Sequence, residues 1–307
     1  MNKIILNPLV SVIIPTLNRA HTLPRAINSI LDQTYTNWEL IIIDNYSSDN
    51  TDEIVSTFKD NRINYLKNPI RHLSISRNIG IRASKGLYIA LLDSDDWWLP
   101  TKLEFSIKEL NKGYQFIYHD LFRIYPQPKL FNFLFFKKLK TRSLKKDVFL
   151  DLFLNSNAIN VSSVVFTRVL FNKVNGFQEI TFLRNCEDYD CWLRMALQTN
   201  KFKRIKECLG NYEMALDSMS NDKLRIIAFE YLLSTYIKYL PSYLGREPGH
   251  IYSSLAISYM RVNNFKKALL YSRKCIFSSS NLLPKVKSIS VVIIVLIKFL
   301  FRQFFIK

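Results

Sequence analysis

Residues 86–96 read Gly86-Leu87-Tyr88-Ile89-Ala90-Leu91-Leu92-Asp93-Ser94-Asp95-Asp96, an apolar run that ends abruptly in three carboxylates. A short uninterrupted apolar stretch of this kind is a strand buried on both faces, the type found in parallel sheets. The acids therefore sit at the strand's carboxyl end. Three carboxylates within four residues repel one another unless a cation or well-placed donors compensate. Magnesium and manganese take oxygen ligands and bridge one or two carboxylates to phosphates. Asp93 and Asp95 are the candidate ligands; a solvated acidic loop is the other use of such a triplet. Trp97-Trp98 and Leu99-Pro100 would shield the loop from water.

The chain before this point repeats the theme. Residues 9–14 (LVSVII) form a β-branched run stopped at Pro15-Thr16, and Glu39–Ile43 leads into Asp44-Asn45. A further strand is expected at 63–66. Between these runs, Leu23, Ala26, Ile27, Ile30 and Leu31 mark one face of a helix, with Pro24 tolerated in its first turn. Helices are also expected at 50–58, after the capping residues Ser47-Ser48-Asp49, and at 74–84, which carries Arg77 and Asn78. Strands alternating with helices predict a mostly parallel sheet covered on both faces, with ligands at the carboxyl ends of its strands. Three polar clusters converge there: Pro15-Thr16, Asp44-Asn45 and Asp93–Asp96. Asp44-Asn45 suits a nucleobase edge or a ribose hydroxyl, and equally an ordinary Asx turn.

Beyond 111 the pattern loosens. Strands are expected at 114–119 and 161–167, with a basic, phenylalanine-rich stretch at 129–146 between them. Glu187-Asp188-Tyr189-Asp190 opens a helix whose apolar face holds Leu193, Ala196 and Leu197. Acids there complement the helix dipole, or one of them serves as a general base. From about 222 the chain reads as helical. Tyr252-x-x-Leu255-Ala256-x-x-Tyr259, with Ala268 beyond, has the spacing of a single tetratricopeptide helix pair, or of a plain amphipathic hairpin. Residues 289–306 contain nine apolar or small residues before Lys298, too few to span a bilayer. With Lys285, Lys287, Lys298, Arg302 and Lys307 around them, they predict an interfacial helix on an anionic membrane, or a helix packed on the protein or a partner.

Composition bounds these readings. The chain has 307 residues, 48% of them hydrophobic, which excludes a disordered or fibrous protein. Its net charge of +18 is unevenly placed: residues 1–110 hold 12 basic and 12 acidic groups, 111–200 hold 13 and 7, and 201–307 hold 18 and 6. No nucleic-acid motif accompanies the excess, so we expect a membrane face and no nucleic acid. Four cysteines without CxxC spacing and four histidines argue against a disulfide scaffold or a zinc site. Seven glycines are too few for a Gly-rich phosphate loop, and residues 1–10 carry no secretory signal.

Taken as an ordered set, the motifs resemble the family-2 glycosyltransferases. The resemblance rests on Val10–Thr16 with Asn18-Arg19, Ile41–Asn45 with Ser47–Thr51, and Arg77-Asn78-x-Gly80-Ile81. It continues through Gly86–Asp96, Gly176-Phe177 and Glu187–Arg194, covering roughly residues 9–215. It implies a GT-A fold, α/β with a Rossmann-like, mixed but mostly parallel sheet, followed here by an all-helical extension. The implied division is a glycosyltransferase domain at 1–221, with a nucleotide-sugar half at 1–110 and an acceptor half at 111–221. A helical extension at 222–284 and a basic apolar helix at 285–307 follow.

By resemblance, Pro15, Thr16, Asp44, Asn45, Arg77, Asp93 and Ser94 would bind the nucleotide-sugar. Asp93 and Asp95 would hold Mn2+ or Mg2+, and Asp188 would be the catalytic base. The implied activity is inverting, metal-dependent transfer of one sugar from a nucleotide-diphospho-sugar to a glycan or lipid-linked acceptor, in cell-surface polysaccharide biosynthesis. The expected place is the cytoplasmic face of the membrane, bound peripherally. A non-catalytic nucleotide-sugar scaffold or sensor acting through the helical tail is the alternative. Two departures from the family pattern stand out: Asn45 replaces a frequent Asp and Leu17 a frequent Tyr, so uridine is not implied. No Gln-x-x-Arg-Trp run follows Glu187-Asp188, which argues against a processive synthase.

Overall fold

The computed structural model describes residues 7–125, 138–214, 221–242, 247–278 and 281–305, with side chains to residue 298. The first half of the phenylalanine and lysine stretch (129–137) and the side chains of Arg302 and Lys307 lie outside them. The contacts divide the chain into two compact units.

The first unit comprises residues 1–146, 158–179 and 194–218. Its amino-terminal part alternates β1 (Val10–Thr16), α1 (Leu23–Leu31), β2 (Trp38–Asp44), α2 (Thr51–Ser56), β3 (Ile63–Lys67), α3 (Leu73–Ala83) and β4 (Tyr88–Leu91). Then follow β5 (Trp97–Trp98), α4 (Lys102–Leu110), β6 (Phe116–Ile124), β7 (Lys138–Leu139), β8 (Val165–Thr167), α6 (Arg168–Lys173) and β9 (Phe202–Glu213). The helix α5 (Val148–Asn155) lies in the second unit, and α7 (Glu187–Gln198) begins there.

The strands form one mixed sheet in the order β3-β2-β1-β4-β8-β6-β9-β5, with β7 beside β6. The β3-β2-β1-β4 half is parallel, and β8 enters antiparallel between β4 and β6. Every residue of β1 and β4 is buried, as continuous apolar runs in a doubly covered sheet require. Ile14, Leu40, Ile42, Ala26 and Ile30 belong to the principal core.

Pro15 explains where β1 and β4 part. Odd-numbered residues of β1 face β4: Leu92 N–H donates to the Ile13 carbonyl at 3.1 Å, while Asn45 N–H, on the β2 side, donates to that of Thr16 at 2.7 Å. The β1–β4 register ends at Ile13 and Leu91, whereas β1–β2 continues to Thr16 and Asp44. At position 15 a residue without an N–H leaves no ladder bond unmade. Gly80 plays the matching role for α3. A Cβ there would collide with Ile43 and stand 2.9 Å from Ile13 Cγ2. Only hydrogen at this position lets the helix lie directly on β1 and β2.

The second unit comprises 147–157, 180–193 and 219–307. Besides α5 and the start of α7 it holds α8 (Asp222–Tyr236), α9 (Gly249–Arg261), α10 (Phe265–Phe277) and α11 (Leu282–Phe305). Asn221 caps α8, and Asn264 caps α10 after Asn263 turns the chain at φ 59°. The hairpin α9–α10 is the helix pair expected from the tyrosine and alanine spacing. Tyr259 and Tyr271 stack with centroids 5.7 Å apart, and Leu255, Ala256 and Ala268 are fully buried. Both helices also pack on α11, whose Ser288, Val291 and Val295 turn inward at helical spacing. The linear division at 221/222 lies close to the start of the last segment, Met219, but this unit also takes in 147–157 and 180–193. Aromatic packing accounts for the first of these: Phe149 and Phe153 of α5 sit 6.1 Å from Tyr236 of α8.

Candidate active site

In the first unit, the parallel strands deliver Pro15, Thr16, Asp44, Asn45, Asp93, Ser94 and Asp95 to one end of the sheet. Thr16 stands opposite Asp44 in register. Asp44 is 4% exposed; its Oδ1 accepts from Ser47 N–H at 3.0 Å and its Oδ2 from the Tyr65 hydroxyl at 2.8 Å. Burial and this carboxylate both push the Tyr65 hydroxyl well above its ordinary pKa. Asn45 Oδ1 accepts from His72 N–H at 3.0 Å, tying β2 to the start of α3. Asn18 joins the loops after β1 and β2: its N–H donates to Ser47 Oγ at 2.9 Å and its Oδ1 accepts from Ser48 N–H at 2.8 Å. Against this network Thr16 is conspicuous, because its buried Oγ1 has no hydrogen-bond partner.

Helix α3 brings Arg77 to the same end. Its side chain is 2% exposed, and Nη2 donates to Asp93 Oδ1 at 2.9 Å. Its guanidinium lies 5.5 Å from the Phe177 ring. Asn78 holds Phe177 by a reciprocal pair, Nδ2 to the carbonyl and N–H to Oδ1, both 2.9 Å. Gly176, at φ +73°, makes that approach feasible. Ser162 secures the acidic loop from the opposite side. Its Oγ accepts from Asp93 N–H at 3.1 Å, and its carbonyl accepts from Trp98 Nε1 at 2.7 Å.

The three acids have different surroundings. Asp93 and Asp95 remain about one-third exposed, and Arg19 stands 3.7 Å from Asp95. Burial, followed by the Asp93 charge, raises the Asp95 carboxyl above its usual range. Asp96 is 1% exposed; its Oδ1 accepts from Glu213 N–H at 3.0 Å, while Oδ2 is buried without a partner. Burial, then Asp93, pushes Asp96 well up. Asp96 is thus the residue that anchors β9, and Asp93 and Asp95 are the pair open to a ligand. The residue-based reading missed Arg19, Arg25 and Glu213 here. Arg25 donates to the Asp95 carbonyl at 2.9 Å, covers the Trp97 ring at 3.6 Å and pairs with Glu213.

The donor set suits a hard divalent cation bound together with a phosphorylated ligand. Two carboxylates, Asp93 and Asp95, are each about one-third exposed, and the Asp93 charge adds to burial in raising the Asp95 carboxyl, a repulsion that a cation between them would relieve. Among the described residues no cluster of three or more metal-ligating side chains occurs, so the protein alone would not complete a coordination shell.

Asp188 belongs to the second unit, in the first turn of α7. Its Oδ2 accepts from Asn157 Nδ2 at 3.1 Å and its Oδ1 from Tyr189 N–H at 2.7 Å. Tyr189 donates to the Leu152 carbonyl at 2.8 Å, and Asp190 is buried against the Tyr236 hydroxyl at 2.7 Å. Tyr189 and Asp190 thus fix the helix while Asp188 borders a cavity of about 390 Å³. A larger, open groove of about 590 Å³ lies by α2 and β3, lined in part by Asp52 and Lys67, which pair with each other at 3.1 Å. It contains none of the clustered site residues.

Comparison with known proteins places this arrangement in a family. Residues 11–161 match the model for glycosyl transferase family 2. The chain is 33% identical over 222 residues to the Escherichia coli UDP-Glc:alpha-D-GlcNAc-diphosphoundecaprenol beta-1,3-glucosyltransferase WfgD, covering 71% of this chain and 81% of that protein. The chain belongs to glycosyl transferase family 2. It is a glycosyltransferase, and some of its relatives are named as putative glycosyltransferases of polysaccharide biosynthesis. They include the putative teichuronic acid glycosyltransferase TuaG of Bacillus subtilis, 29% identical over 70% of this chain and 83% of that one. The fold matches solved GT-A structures. Staphylococcus aureus TarS 1-349 in complex with UDP-GlcNAc aligns at TM-score 0.56 and 14% identity, over 92% of this chain and 79% of that one. The mannosyltransferase PcManGT of Pyrobaculum calidifontis, in complex with GDP-Man and Mn2+, aligns at 0.53 and 16% identity, over 94% and 81%.

Proposed function

We propose that this glycosyltransferase transfers one sugar, with inversion, from a nucleoside-diphospho-sugar to a hydroxyl of a lipid-linked glycan acceptor. The observation that carries the donor assignment is the crowding of Thr16, Asp44, Asn45, Arg77, Asp93, Ser94 and Asp95 at the carboxyl ends of parallel strands. Thr16 has an unpartnered buried hydroxyl to offer, and Asp44 and Asn45 beside it would meet the base and ribose. UDP-glucose is the first donor to test, since WfgD is named for it.

Asp93 and Asp95 would hold Mn2+ or Mg2+, which when bound neutralises the diphosphate as it leaves. Asp188 accepts the proton of the acceptor hydroxyl as that oxygen bonds to the anomeric carbon. The bond from that carbon to the diphosphate oxygen breaks in the same displacement, and the electron pair leaves with the nucleotide. Asn157, donating to Asp188 Oδ2, orients the carboxylate for this task. Asp188→Asn is therefore expected to fold and to bind UDP with unchanged affinity while losing at least about a hundredfold in turnover. Near-wild-type turnover would remove Asp188 from the role.

The protein acts at an anionic membrane surface, bound peripherally on its cytoplasmic face. Among the described residues no helix is long and apolar enough to cross a membrane. Helix α11 nevertheless exposes Ile289, Ile293, Ile294, Leu296 and Ile297, each at least 39% exposed, next to Lys285, Lys287 and Lys298. An apolar row flanked by cations is the pattern of an interfacial helix.

A further inference from the structure

The cavity bordered by Asp188 lies wholly within the second unit, and much of its wall comes from the helical extension. Asn157 and Asp188 are joined there by His250, Ser253 and Ser254 of α9 and by Lys287 of α11. Ser253 is 3% exposed, yet its Oγ has no hydrogen-bond partner. A buried hydroxyl left unsatisfied is costly to the folded state, and a ligand that reaches it recovers that cost. His250 is held in place, its Nε2 2.8 Å from the Phe153 carbonyl and 3.4 Å from the Tyr189 hydroxyl. Lys287 is the one lysine or arginine among the described residues lining the cavity, and it is exposed at the rim. On the same helix Leu283, 65% exposed, lines the cavity as well, and Val286 stands beside it in sequence, 48% exposed.

We infer that α9 and α11 complete the acceptor site, and that it takes a sugar carried on a phosphorylated hydrocarbon chain. The inference rests on Asp188 acting as the base. The reacting hydroxyl meets Asp188, the ring hydrogen-bonds to Ser253, the phosphate pairs with Lys287, and the chain continues over Leu283. The order follows the chemistry of the lining: anion and hydroxyl-binding groups on α7 and α9, cation and apolar surface on α11. A carboxylate repels a phosphate, so the single cation decides which end of the acceptor lies where.

Calorimetry on the full chain with UDP present tests this with two probes, hexyl-diphospho-α-GlcNAc and its phosphate-free counterpart hexyl α-GlcNAc. The diphosphate compound is expected to bind about tenfold more tightly, as one charge-assisted contact implies. Lys287→Gln should erase that difference. Ser253→Ala should weaken both probes several-fold while the thermal midpoint holds or rises, because the lost hydroxyl had no partner. A structural role for Ser253 would lower the midpoint instead. Equal binding of the two probes, binding of neither, or a preference that survives Lys287→Gln overturns the inference. The catalytic reading is judged separately: UDP binding and turnover lost in Asp188→Asn can stand while these acceptor contacts fail.

Discussion

At the scale of single residues, two buried groups carry more charge chemistry than their surroundings accommodate. Lys102 is fully buried, with Nζ 3.5 Å from the Trp98 ring and 3.5 Å from the Val164 carbonyl. Burial lowers its pKa well below 10.5, and burial, with Lys102 nearby, takes His119 down to about 3. The unfolded chain therefore binds more protons than the folded one, and this residue's contribution to stability falls as pH drops below 10.5. Lys102→Met keeps the length of the side chain without the amine, so it should raise the urea midpoint at pH 7 and flatten its dependence between pH 7 and 9.

The Asp96 carboxyl has the opposite sign. Its folded pKa lies above 3.8, so stability is lost as pH rises through the window from 3.8 to the raised value. A cation at the adjacent loop favours the charged forms. The increase in thermal midpoint given by Mn2+ with UDP should thus be large at pH 7.5 and small at pH 4.5. An equal increase at both would separate the metal from these carboxylates.

At the scale of elements, Gly80 controls how closely α3 can approach the sheet, and through α3 the position of Arg77. Gly80→Ala places a methyl group against Ile43 and Ile13 and should cost about 1–3 kcal/mol. Part of the loss should appear as weaker UDP binding, because Arg77 is one turn away on the same helix. Urea unfolding and calorimetry read the two effects.

Elements of this half of the molecule were legible because each is written in one period: β1, β2 and β4 as unbroken apolar runs, α1 as an apolar stripe. The long strand β9 was not, since Phe202-Lys203-Arg204-Ile205-Lys206-Glu207 neither alternates nor runs apolar. Its partners supply what its composition lacks: Arg204 pairs with Asp120 of β6 at 2.8 Å. With β9 unseen, Glu213 and its link to Arg25 could not be found either. The clustering of Pro15-Thr16, Asp44-Asn45 and Asp93–Asp96 was legible, because parallel strands carry their carboxyl ends to one edge. The cavity at Asp188 was not, because its walls come from separate short segments between Ser156 and Lys287 that no periodicity relates.

At the scale of the molecule, the surplus of positive charge and the exposed apolar row coincide on the last helix. Ile293→Asp with Ile297→Asp should leave the unfolding midpoint nearly unchanged, since both side chains are 46–51% exposed. The same pair should abolish sedimentation with phosphatidylglycerol vesicles, and high salt should weaken the wild-type interaction. Retained sedimentation would assign α11 to another use. UDP binding, measured alongside, should be unaffected.

Proline 15 has one more consequence. A gap between two strands can ordinarily be zipped shut by a fluctuation that brings one more amide to one more carbonyl. Here that amide does not exist, so the point where β1 and β4 part is set by covalent structure and needs no ligand to prop it open. Hydrogen exchange should register this as slow amides up to Leu92 and Asn45 on either flank, with the protection ending at the same point whether or not nucleotide is bound.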